Sequence, residues 1–375
     1  MIYLDNAATS FPKPEKVYDR IDEVLREISG NPGRASHRMA LEAGRVIFGA
    51  RESVTRLINA GDSSRVSFTK NATEAVNIGI KGSVVPGDHI VTTSFEHNSV
   101  AKTVGAIEAA GIEVTRVRPD RLGFVSVKDI SGAIRKNTRL VCLSHASNVF
   151  GTIQDIEAIG KACRARSVRF MVDGAQTVGA MPIDVIAMNI DILAATGHKA
   201  LFGPQGTGFI YTAKGIELEP LIHGGTGELD TLLEMPERLE NGTMNTPGVG
   251  GLGAGVEFLF SEGVDKIRAY EEGLIGEIIR GLSAIEKVKI IGTLEASSRA
   301  ALVAFNIEGR RPAEVGRILD EEFECLVRTG VHCAPDAHRE AGTHPDGGVR
   351  VSPGYFTREP EIESFLKAIR TIAAR

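Results

Sequence analysis

The segment from Val327 to Phe356, VRTGVHCAPDAHREAGTHPDGGVRVSPGYF, places a thiol among histidines and arginines. Cys333 stands between His332 and Ala334 in this segment, and the surrounding glycine and proline residues predict a loop. Cationic neighbours stabilise the thiolate, which is the form of cysteine that reacts. Cys333 is therefore a candidate nucleophile or acceptor of a transferred group.

A metal site is the competing interpretation of the same segment. Its ligands would be Cys333, His332, His338 and His344. Their spacing matches none of the common zinc patterns, so we predict no metal at this place.

Lys199 is a candidate amine nucleophile. In TGHKALFGPQGTG it follows Thr196 and His198 in a short polar break between predicted strands. A lysine held near other cations and a phosphate can act as a free amine and form a Schiff base. The alternative is a surface lysine before a hairpin, which the neighbouring Thr196 and His198 make less favoured.

Two further polar groups follow predicted strands. In MVDGAQ, Asp173 comes just after a buried strand and Gln176 follows three residues on; a buried carboxylate needs a cationic or hydrogen-bonding partner. A protonated pyridine nitrogen would serve, and the ion pair would strengthen such a ring as an electron sink; a helix-capping aspartate is the alternative.

In VSFTKNATEAVN, the backbone of Ala72 and Thr73 offers an anion site at a helix start, although an ordinary helix cap by Asn71 or Thr73 explains the same pattern.

The elements that must position these groups alternate along the chain. Amphipathic helices are predicted at residues 14–29 and 36–59. Short apolar runs with strand character follow at residues 65–68, 89–92, 113–117, 140–143, 169–172 and 190–194. Strand and helix in repetition predict a largely parallel sheet with helices on both faces, where ligands bind beyond the carboxyl ends of the strands.

The pattern changes after about residue 255. A long helix at 263–284 is followed by two strands, a helix at 313–323, two more strands and a last helix from about residue 359. We therefore predict a large domain at 14–255, which carries most of the candidate ligand-binding residues, and a smaller α+β domain made of 1–13 and 256–375 that carries the Cys333 loop.

Composition limits the classes of function. Apolar residues make up 42% of the chain, and the net charge of −5 gives no electrostatic case for nucleic acid. No apolar run approaches the roughly 20 residues that a membrane helix needs, and we see no signal peptide, so we predict a protein of the reducing cytoplasm with no membrane contact. The other cysteines, Cys142, Cys163 and Cys325, lie in apolar or helical contexts and are expected in the core.

Nine segments in order resemble the class V, fold-type I pyridoxal-phosphate enzymes, and within them the cysteine desulfurase and selenocysteine lyase family. The segments are YLDNAAT, NATEAVN, EHNS, SNVFGT, DGAQ, TGHK, NGTMNTPG, RTGVHCAP and VRVSPGYF. The resemblance runs from Tyr3 to the last helix. It implies an α/β fold with a mostly parallel seven-stranded sheet flanked by helices, a smaller α+β domain, and pyridoxal 5'-phosphate as the cofactor.

The resemblance also implies a role for each matching position. Lys199 would hold the cofactor covalently and move protons, His97 would stack on the pyridine face, and Asp173 would pair with the ring nitrogen. Gln176 would bond the phenolic oxygen, and the phosphate would be held by Ala72, Thr73, Thr196 and His198. Asn148 would lie near the cofactor oxygen and the substrate carboxylate, and Arg328 and Arg350 would also bind the substrate, with Arg350 clamping its carboxylate in bidentate fashion. Cys333 would take the sulfur.

The implied reaction removes sulfur from L-cysteine, giving L-alanine and a persulfide on Cys333 that supplies sulfur for cofactor biosynthesis. Selenium release from L-selenocysteine, transamination and sulfinate cleavage are the alternatives on the same scaffold. The family further implies a homodimer, in which Thr243 reaches the phosphate of the other subunit, and an acceptor protein for the sulfur or selenium. The compact HCAP loop departs from the HHCA pattern of its subgroup, because Val331 stands where a first histidine is common. That departure leaves open how Cys333 is activated.

Overall fold

The computed structural model describes residues 1–33, 36–224 and 234–375. The elements of its first part are β1 (Ile2–Tyr3), α1 (Glu15–Glu27), α2 (Arg38–Leu57), β2 (Val66–Thr69), α3 (Ala72–Lys81), β3 (His89–Thr93), α4 (Asn98–Glu108), β4 (Glu113–Val117), α5 (Val127–Ala133), β5 (Thr138–Ser144), α6 (Ile156–Ala165), β6 (Arg169–Asp173), β7 (Ile192–Thr196) and β8 (Gly208–Thr212). The later elements are α7 (Thr246–Glu262), α8 (Val264–Ser283), β9 (Val288–Ile291), β10 (Val303–Ile307), α9 (Pro312–Phe323), β11 (Cys325–Leu326), β12 (Arg328–Gly330), α10 (Pro335–Glu340), β13 (Gly348–Val351) and α11 (Glu359–Ala374).

The large sheet has seven strands in the order β2-β8-β7-β6-β5-β3-β4. The pairs from β4 through β7 are parallel, whereas β8 runs antiparallel to both of its neighbours. Strands β3, β6 and β7 are buried almost throughout, as expected for parallel strands covered on both faces. The predicted mostly parallel sheet is confirmed, and its carboxyl ends meet at one edge.

Helix α7 was not predicted from the sequence because it is rich in glycine, a poor helix former. It packs against α1 and α2, and its glycines permit the close approach. A Cβ atom added to Gly253 would lie 2.9 Å from the Cβ of Ala50, and one added to Gly255 would lie 2.2 Å from the carbonyl oxygen of Leu201. Strand β8, which also begins at a glycine, was missed as well.

A second, smaller sheet has the order β12-β13-β10-β9 and is antiparallel. It shares a separate apolar cluster with α8, α9 and α11, and the cluster includes Leu4 from the N-terminus. Strand β1 pairs with β11, which attaches the first residues of the chain to this part. Helix α7 runs through residue 255, and its Val256 and Leu259 belong to the core of the large sheet.

Among the helices in the described ranges, none is both long enough and apolar enough to cross a membrane.

Candidate active site

One cavity of about 200 Å³ lies at the carboxyl edge of the large sheet. The turns after β2, β3, β5, β6 and β7 supply most of its wall, while β12 and β13 of the smaller sheet close it. Eleven predicted site residues line it: Ala72, Thr73, His97, Asn148, Asp173, Gln176, Thr196, His198, Lys199, Arg328 and Arg350. The sequence did not single out the remaining lining residues, which are Ala7, Ala8, Asn71, Ser99, Ser144, Ala146 and Ala175.

The end of the cavity next to α3 can hold an anion. Helix α3 begins at Ala72, so the N–H groups of Ala72 and Thr73 lie in its first turn, where no carbonyl of the helix can accept from them. Asn71 caps the helix, since its side chain accepts from the N–H of Glu74 at 3.0 Å. The helix cap and the anion site are therefore compatible, because the Asn71 cap leaves the N–H groups of Ala72 and Thr73 free for a ligand.

Two buried polar atoms stand beside this helix end without a partner. Oγ1 of Thr196 and Nδ1 of His198 make no hydrogen bond to any other described residue, and both side chains line the cavity. Burial is the main cause that lowers the pKa of His198 to about 4, so the ring is neutral and can present one N–H donor. Buried polar atoms normally have a hydrogen-bond partner. Two such atoms without a partner in a cavity wall therefore indicate a place where a polar ligand binds.

Asp173 and His97 both line the cavity, and the Ser99 hydroxyl lies within hydrogen-bond distance of both side chains. Asp173 is the last residue of β6, rather than lying beyond the strand, and its Oδ1 accepts from the N–H of Ala175 at 3.0 Å. His97 caps α4 through Nδ1, which accepts from the N–H of Ser99 at 3.1 Å, so the proton of the neutral ring is on Nε2. Burial lowers the pKa of His97 against the attraction of Asp173, which favours the neutral ring.

A second buried carboxyl lies behind this wall and was missed from the sequence. Glu96 accepts from both the N–H and the hydroxyl of Ser144, at 3.0 and 2.6 Å. Burial raises the pKa of Glu96 to about 7, and the nearby Asp173 adds to the rise. The motif EHNS contains this glutamate, but its burial depends on packing that the motif does not display.

Lys199 lies where β7 has ended and a polar turn begins. Burial, followed by repulsion from Arg350, lowers its pKa to about 8. About a tenth of the amine is therefore uncharged at pH 7, far more than for an ordinary lysine, and the uncharged amine is the nucleophilic form. The environment matches the predicted chemistry.

The N-terminal segment holds the Lys199 turn from behind. The hydroxyl of Ser10 donates to the carbonyl of Lys199 at 2.8 Å, and Nζ of Lys13 donates to the carbonyl of His198 at 2.9 Å. Gln176 is tied to the same segment, because its Nε2 donates to the carbonyl of Ala7 at 3.2 Å. These long-range contacts follow from β1 pairing with β11 and carry no local sequence signal.

Arg350 is completely buried and only partly satisfied. Its Nη2 donates to Oδ1 of Asp5 at 3.0 Å, and its Nη1 donates to the carbonyl of Asn148 at 3.2 Å. Its Nε has no partner among the described residues. A guanidinium has five N–H groups, so Nε–H and a second Nη2–H remain to take a carboxylate side-on.

Cys333 contacts the cavity wall without lining the cavity itself. Its Sγ lies 3.1 Å from Nη2 of Arg328, and Arg328 pairs in register with Arg350 on the neighbouring strand. The thiol is half-buried in a loop, as predicted.

The cysteines at 142, 163 and 325 are buried, and burial raises the pKa of each thiol, which confirms them as core residues.

Two further predictions concern Thr243 and a metal site. Thr243 is exposed and does not line this chain's cavity, so its predicted contact would have to be made to another subunit. Among the described residues, no group of three or more His, Cys, Asp or Glu side chains is placed to hold a metal ion.

Together the cavity and the Cys333 loop beside it offer an anion site, a carboxylate, a flat neutral imidazole, a lysine with a lowered pKa, a carboxylate-binding guanidinium and a cation-contacted thiol. That set can bind an aromatic phosphate ester and a small amino acid side by side. It can also move protons at Lys199 and accept a group at Cys333.

Comparisons with known proteins agree with this reading. The family model described as Aminotransferase class-V matches residues 2–365. The chain is 35% identical over 382 residues to a protein named probable cysteine desulfurase from Methanothermobacter thermautotrophicus, covering 99% of this chain and 94% of that protein. It is 35% identical to a protein named cysteine desulfurase IscS from Neisseria meningitidis, covering 99% and 91% of the two chains.

Solved structures give the same result. The apo structure of a cysteine desulfurase from Thermococcus onnurineus NA1 superimposes with a TM-score of 0.94 at 32% identity, covering 100% of this chain and 94% of that one. The Escherichia coli cysteine desulfurase CsdA superimposes with a TM-score of 0.88 at 26% identity, covering 98% and 94%. The chain therefore belongs to the aminotransferase class-V family and, within it, to the cysteine desulfurases.

Proposed function

We propose that this enzyme binds pyridoxal 5'-phosphate and removes sulfur from L-cysteine, giving L-alanine and a persulfide on Cys333. The observation that carries the proposal is the contact of 3.1 Å between Sγ of Cys333 and Nη2 of Arg328, in the wall of the cavity that contains Lys199. A transaminase needs no thiol at this place. An enzyme that transfers sulfur needs a thiolate beside its substrate.

The residues of the cavity fit the cofactor. The unpaired Thr196 hydroxyl and His198 Nδ1 stand with the first turn of α3, where the phosphate would be held. Asp173 would pair with the pyridine nitrogen, His97 would stack on the ring, and Gln176 would bond the phenolic oxygen. When bound, the cofactor supplies an electron sink for charge at the substrate α-carbon.

Lys199 would act on the protons of the reaction. Its amine, with a pKa of about 8, takes the proton from the α-carbon of the substrate and returns protons as alanine is completed. Because the side chain is buried, water competes little for these transfers.

Arg350 and Asn148 would orient the substrate. The free Nε–H of Arg350 and a second Nη2–H hold the carboxylate side-on, while Asp5 and the Asn148 carbonyl keep the guanidinium in place. Fixing the carboxylate fixes the direction of the side-chain sulfur.

Cys333 would accept that sulfur. Its thiolate attacks the substrate sulfur, a new S–S bond forms, and the bond between the substrate's β-carbon and sulfur breaks. The electron pair of the broken bond stays with the carbon fragment, which gains protons to become alanine. Arg328 stabilises the attacking thiolate through the contact at 3.1 Å.

A homodimer with shared active sites is part of the proposal. Thr243 is exposed, and its neighbours Gly242 and Met244 line a surface cavity with Phe48 on α2. Phe48 is 59% exposed and Leu41 on the same helix is 53% exposed, and their spacing of seven residues places both side chains on one face of α2. A second subunit covering this surface would bring Thr243 towards the other cofactor phosphate.

Three finer assignments rest on the same proposal. The division into domains at 14–255 and at 1–13 with 256–375 is supported by the separate apolar cluster that the smaller sheet shares with α8, α9, α11 and Leu4, while Val256, Leu259 and Ile267 pack with the large sheet. The reducing cytoplasm suits an enzyme that depends on the free thiol of Cys333. A protein that accepts sulfur from the Cys333 persulfide would complete the cycle.

The direct test compares Cys333→Ala with Cys163→Ala, a matched change of a buried cysteine outside the cavity. We expect Cys333→Ala to stop alanine release from L-cysteine while keeping the visible absorption of the bound cofactor, and Cys163→Ala to keep both. Activity on L-selenocysteine, measured separately, can survive in part because selenium is the better leaving group. Wild-type alanine release from L-cysteine by Cys333→Ala would overturn the proposal in favour of elimination without an enzyme thiol.

A further inference from the structure

The turn that carries Cys333 has an unusual backbone. Ala334 N–H donates to the carbonyl of Val331 at 2.8 Å, and the two central residues, His332 and Cys333, have φ values of +51° and +57°. Positive φ at both central positions defines a type I′ turn, in which asparagine and glycine are preferred. A histidine and a cysteine adopt this conformation only when their surroundings hold it.

The side chain of His332 stabilises this turn conformation through its own contacts. Its ring is buried, and Nδ1 lies 3.0 Å from Nε2 of His338 while Nε2 lies 3.3 Å from the carbonyl oxygen of Arg328. His338 is completely buried on α10, and its Nδ1 lies 2.7 Å from the hydroxyl of Thr343. The ring nitrogens of both histidines are therefore all used.

The chain of hydrogen bonds has one consistent direction. A carbonyl oxygen only accepts, so Nε2 of His332 carries the proton that it donates to the carbonyl of Arg328. Nδ1 of His332 then accepts from the Nε2–H of His338. Nδ1 of His338 accepts in turn from the Thr343 hydroxyl. This arrangement requires two neutral rings. Burial lowers the pKa of His332 to about 2 and of His338 to about 4, and the neighbouring Arg350, Arg328 and His344 act in the same direction.

The turn is also tied to the cofactor cavity through its carbonyls. Nδ2 of Asn148 donates to the carbonyl of His332 at 2.6 Å, and the N–H of Asn98 donates to the carbonyl of Cys333 at 2.7 Å. Asn98 begins α4 directly after His97, and Asn148 lines the cavity. A change in the turn would therefore move the thiol relative to the substrate.

We propose that the hydrogen-bonded pair His332–His338 is a positioning element that locks the left-handed turn and holds the Cys333 thiol against Arg328 in the cavity wall. This inference rests on the proposed function. Neither histidine touches the substrate in this scheme. Their effect reaches the reaction only through the position of Sγ.

The test uses His338→Leu, which removes the donor to His332, and His338→Gln, whose amide N–H can replace Nε2–H. We expect His338→Leu to lower kcat for alanine release about tenfold or more, because small displacements of a reacting group are costly, with KM and cofactor absorption unchanged. His338→Gln should recover most of kcat. His344→Gln, a change of an exposed histidine in the same segment, is the matched control and should behave as wild type.

Hydrogen exchange of the peptide covering residues 331–338 gives a readout that does not depend on the reaction. We expect exchange at the turn to be about tenfold faster in His338→Leu and close to wild type in His338→Gln. If wild type released no alanine from L-cysteine, the proposed function would fail while this measurement still tested the positioning element.

A variant pair further from the turn covers the case in which His338→Leu does not fold. Thr343→Val should lower kcat about threefold, because it removes one hydrogen bond of the chain, and Thr343→Ser should not. Unchanged kcat and unchanged exchange in folded His338→Leu, or equal values for both Thr343 variants, would overturn the inference. So would a loss in His338→Leu that His338→Gln fails to recover.

Discussion

The cofactor cavity and the Cys333 turn reach the same reaction centre by different structural means. Most of the cavity wall comes from turns after parallel strands, whose carboxyl ends meet wherever such a sheet forms. The Cys333 turn has a left-handed backbone that is held by His332, Asn148 and Asn98. The cavity is positioned by topology, whereas the thiol is positioned by individual side chains.

The difference has a consequence for substitution. Changes in the cavity remove a chemical group while the surrounding strands keep their places. Changes around the turn leave every chemical group present but displace one of them. The two regions should therefore be separable, with cofactor absorption reporting on the cavity and alanine release at constant absorption reporting on the turn.

The largest effect is expected from Lys199→Ala, which removes the amine from the cavity. We expect turnover of L-cysteine to fall by at least about 10³-fold, because both covalent attachment and proton transfer are lost. The absorption of lysine-bound cofactor should disappear as well. Lys161→Ala, at an exposed position on α6, is the control.

Borohydride reduction of the wild type followed by peptide mapping should place the cofactor on Lys199, and label on another lysine would contradict the assignment.

Arg328→Ala removes a guanidinium that lines the cavity and contacts the thiol, and it is expected to affect the thiol while leaving the cofactor bound. A charge-assisted hydrogen bond contributes about 1.5–3 kcal/mol, so losing the contact to Sγ of Cys333 should lower kcat about 10- to 100-fold at unchanged cofactor absorption. Arg339→Ala removes an exposed arginine of the same segment and should have little effect. If Arg328→Ala instead raised KM at constant kcat, Arg328 would be a carboxylate-binding residue, as the resemblance implied, and not a partner of the thiol.

The pH dependence of cofactor capture tests the environment of Lys199. The amine reacts only when uncharged, and its pKa is lowered to about 8. The rate at which apoenzyme captures pyridoxal 5'-phosphate should therefore rise about tenfold per pH unit below pH 8 and level off above it. A rate that continues to rise towards pH 10 would show an ordinary, solvated lysine.

The smallest effect is expected from Thr243→Ala. Loss of one hydrogen bond of about 1 kcal/mol should weaken cofactor binding about fivefold, measured as the dissociation constant of the cofactor. Thr371→Ala on α11 is the matched control, because Thr371 does not line the cavity. A monomer by light scattering with full cofactor content would contradict the shared site.

The sequence predicted the cavity better than the turn. Asp173, Lys199 and Thr196 stand at or just after buried strands, and the apolar runs of those strands were visible. The helical pattern also located α1, α2, α8 and α11 to within a few residues. Such features depend on periodicity over neighbouring residues, which a single sequence displays.

The missed features depend on contacts between distant segments. Nothing near Ser10 or Lys13 indicates that they support the Lys199 turn across the fold. His332 lies in the turn and His338 on α10, so no periodicity of a single element relates them, and the fold of the segment brings the rings together. Helix α7 was missed for the opposite reason, because its glycines serve packing against α1 and α2 at the expense of helix propensity.

The central claim, that Cys333 takes the sulfur, is tested most directly by one turnover. Wild-type enzyme is mixed with one equivalent of L-cysteine in the absence of any reductant, quenched, and digested for peptide mass mapping. The account predicts one alanine released per sulfur atom added, with that sulfur on the peptide containing Cys333 and none on Cys142, Cys163 or Cys325. Alanine formed together with free sulfide and an unmodified Cys333 peptide would contradict it.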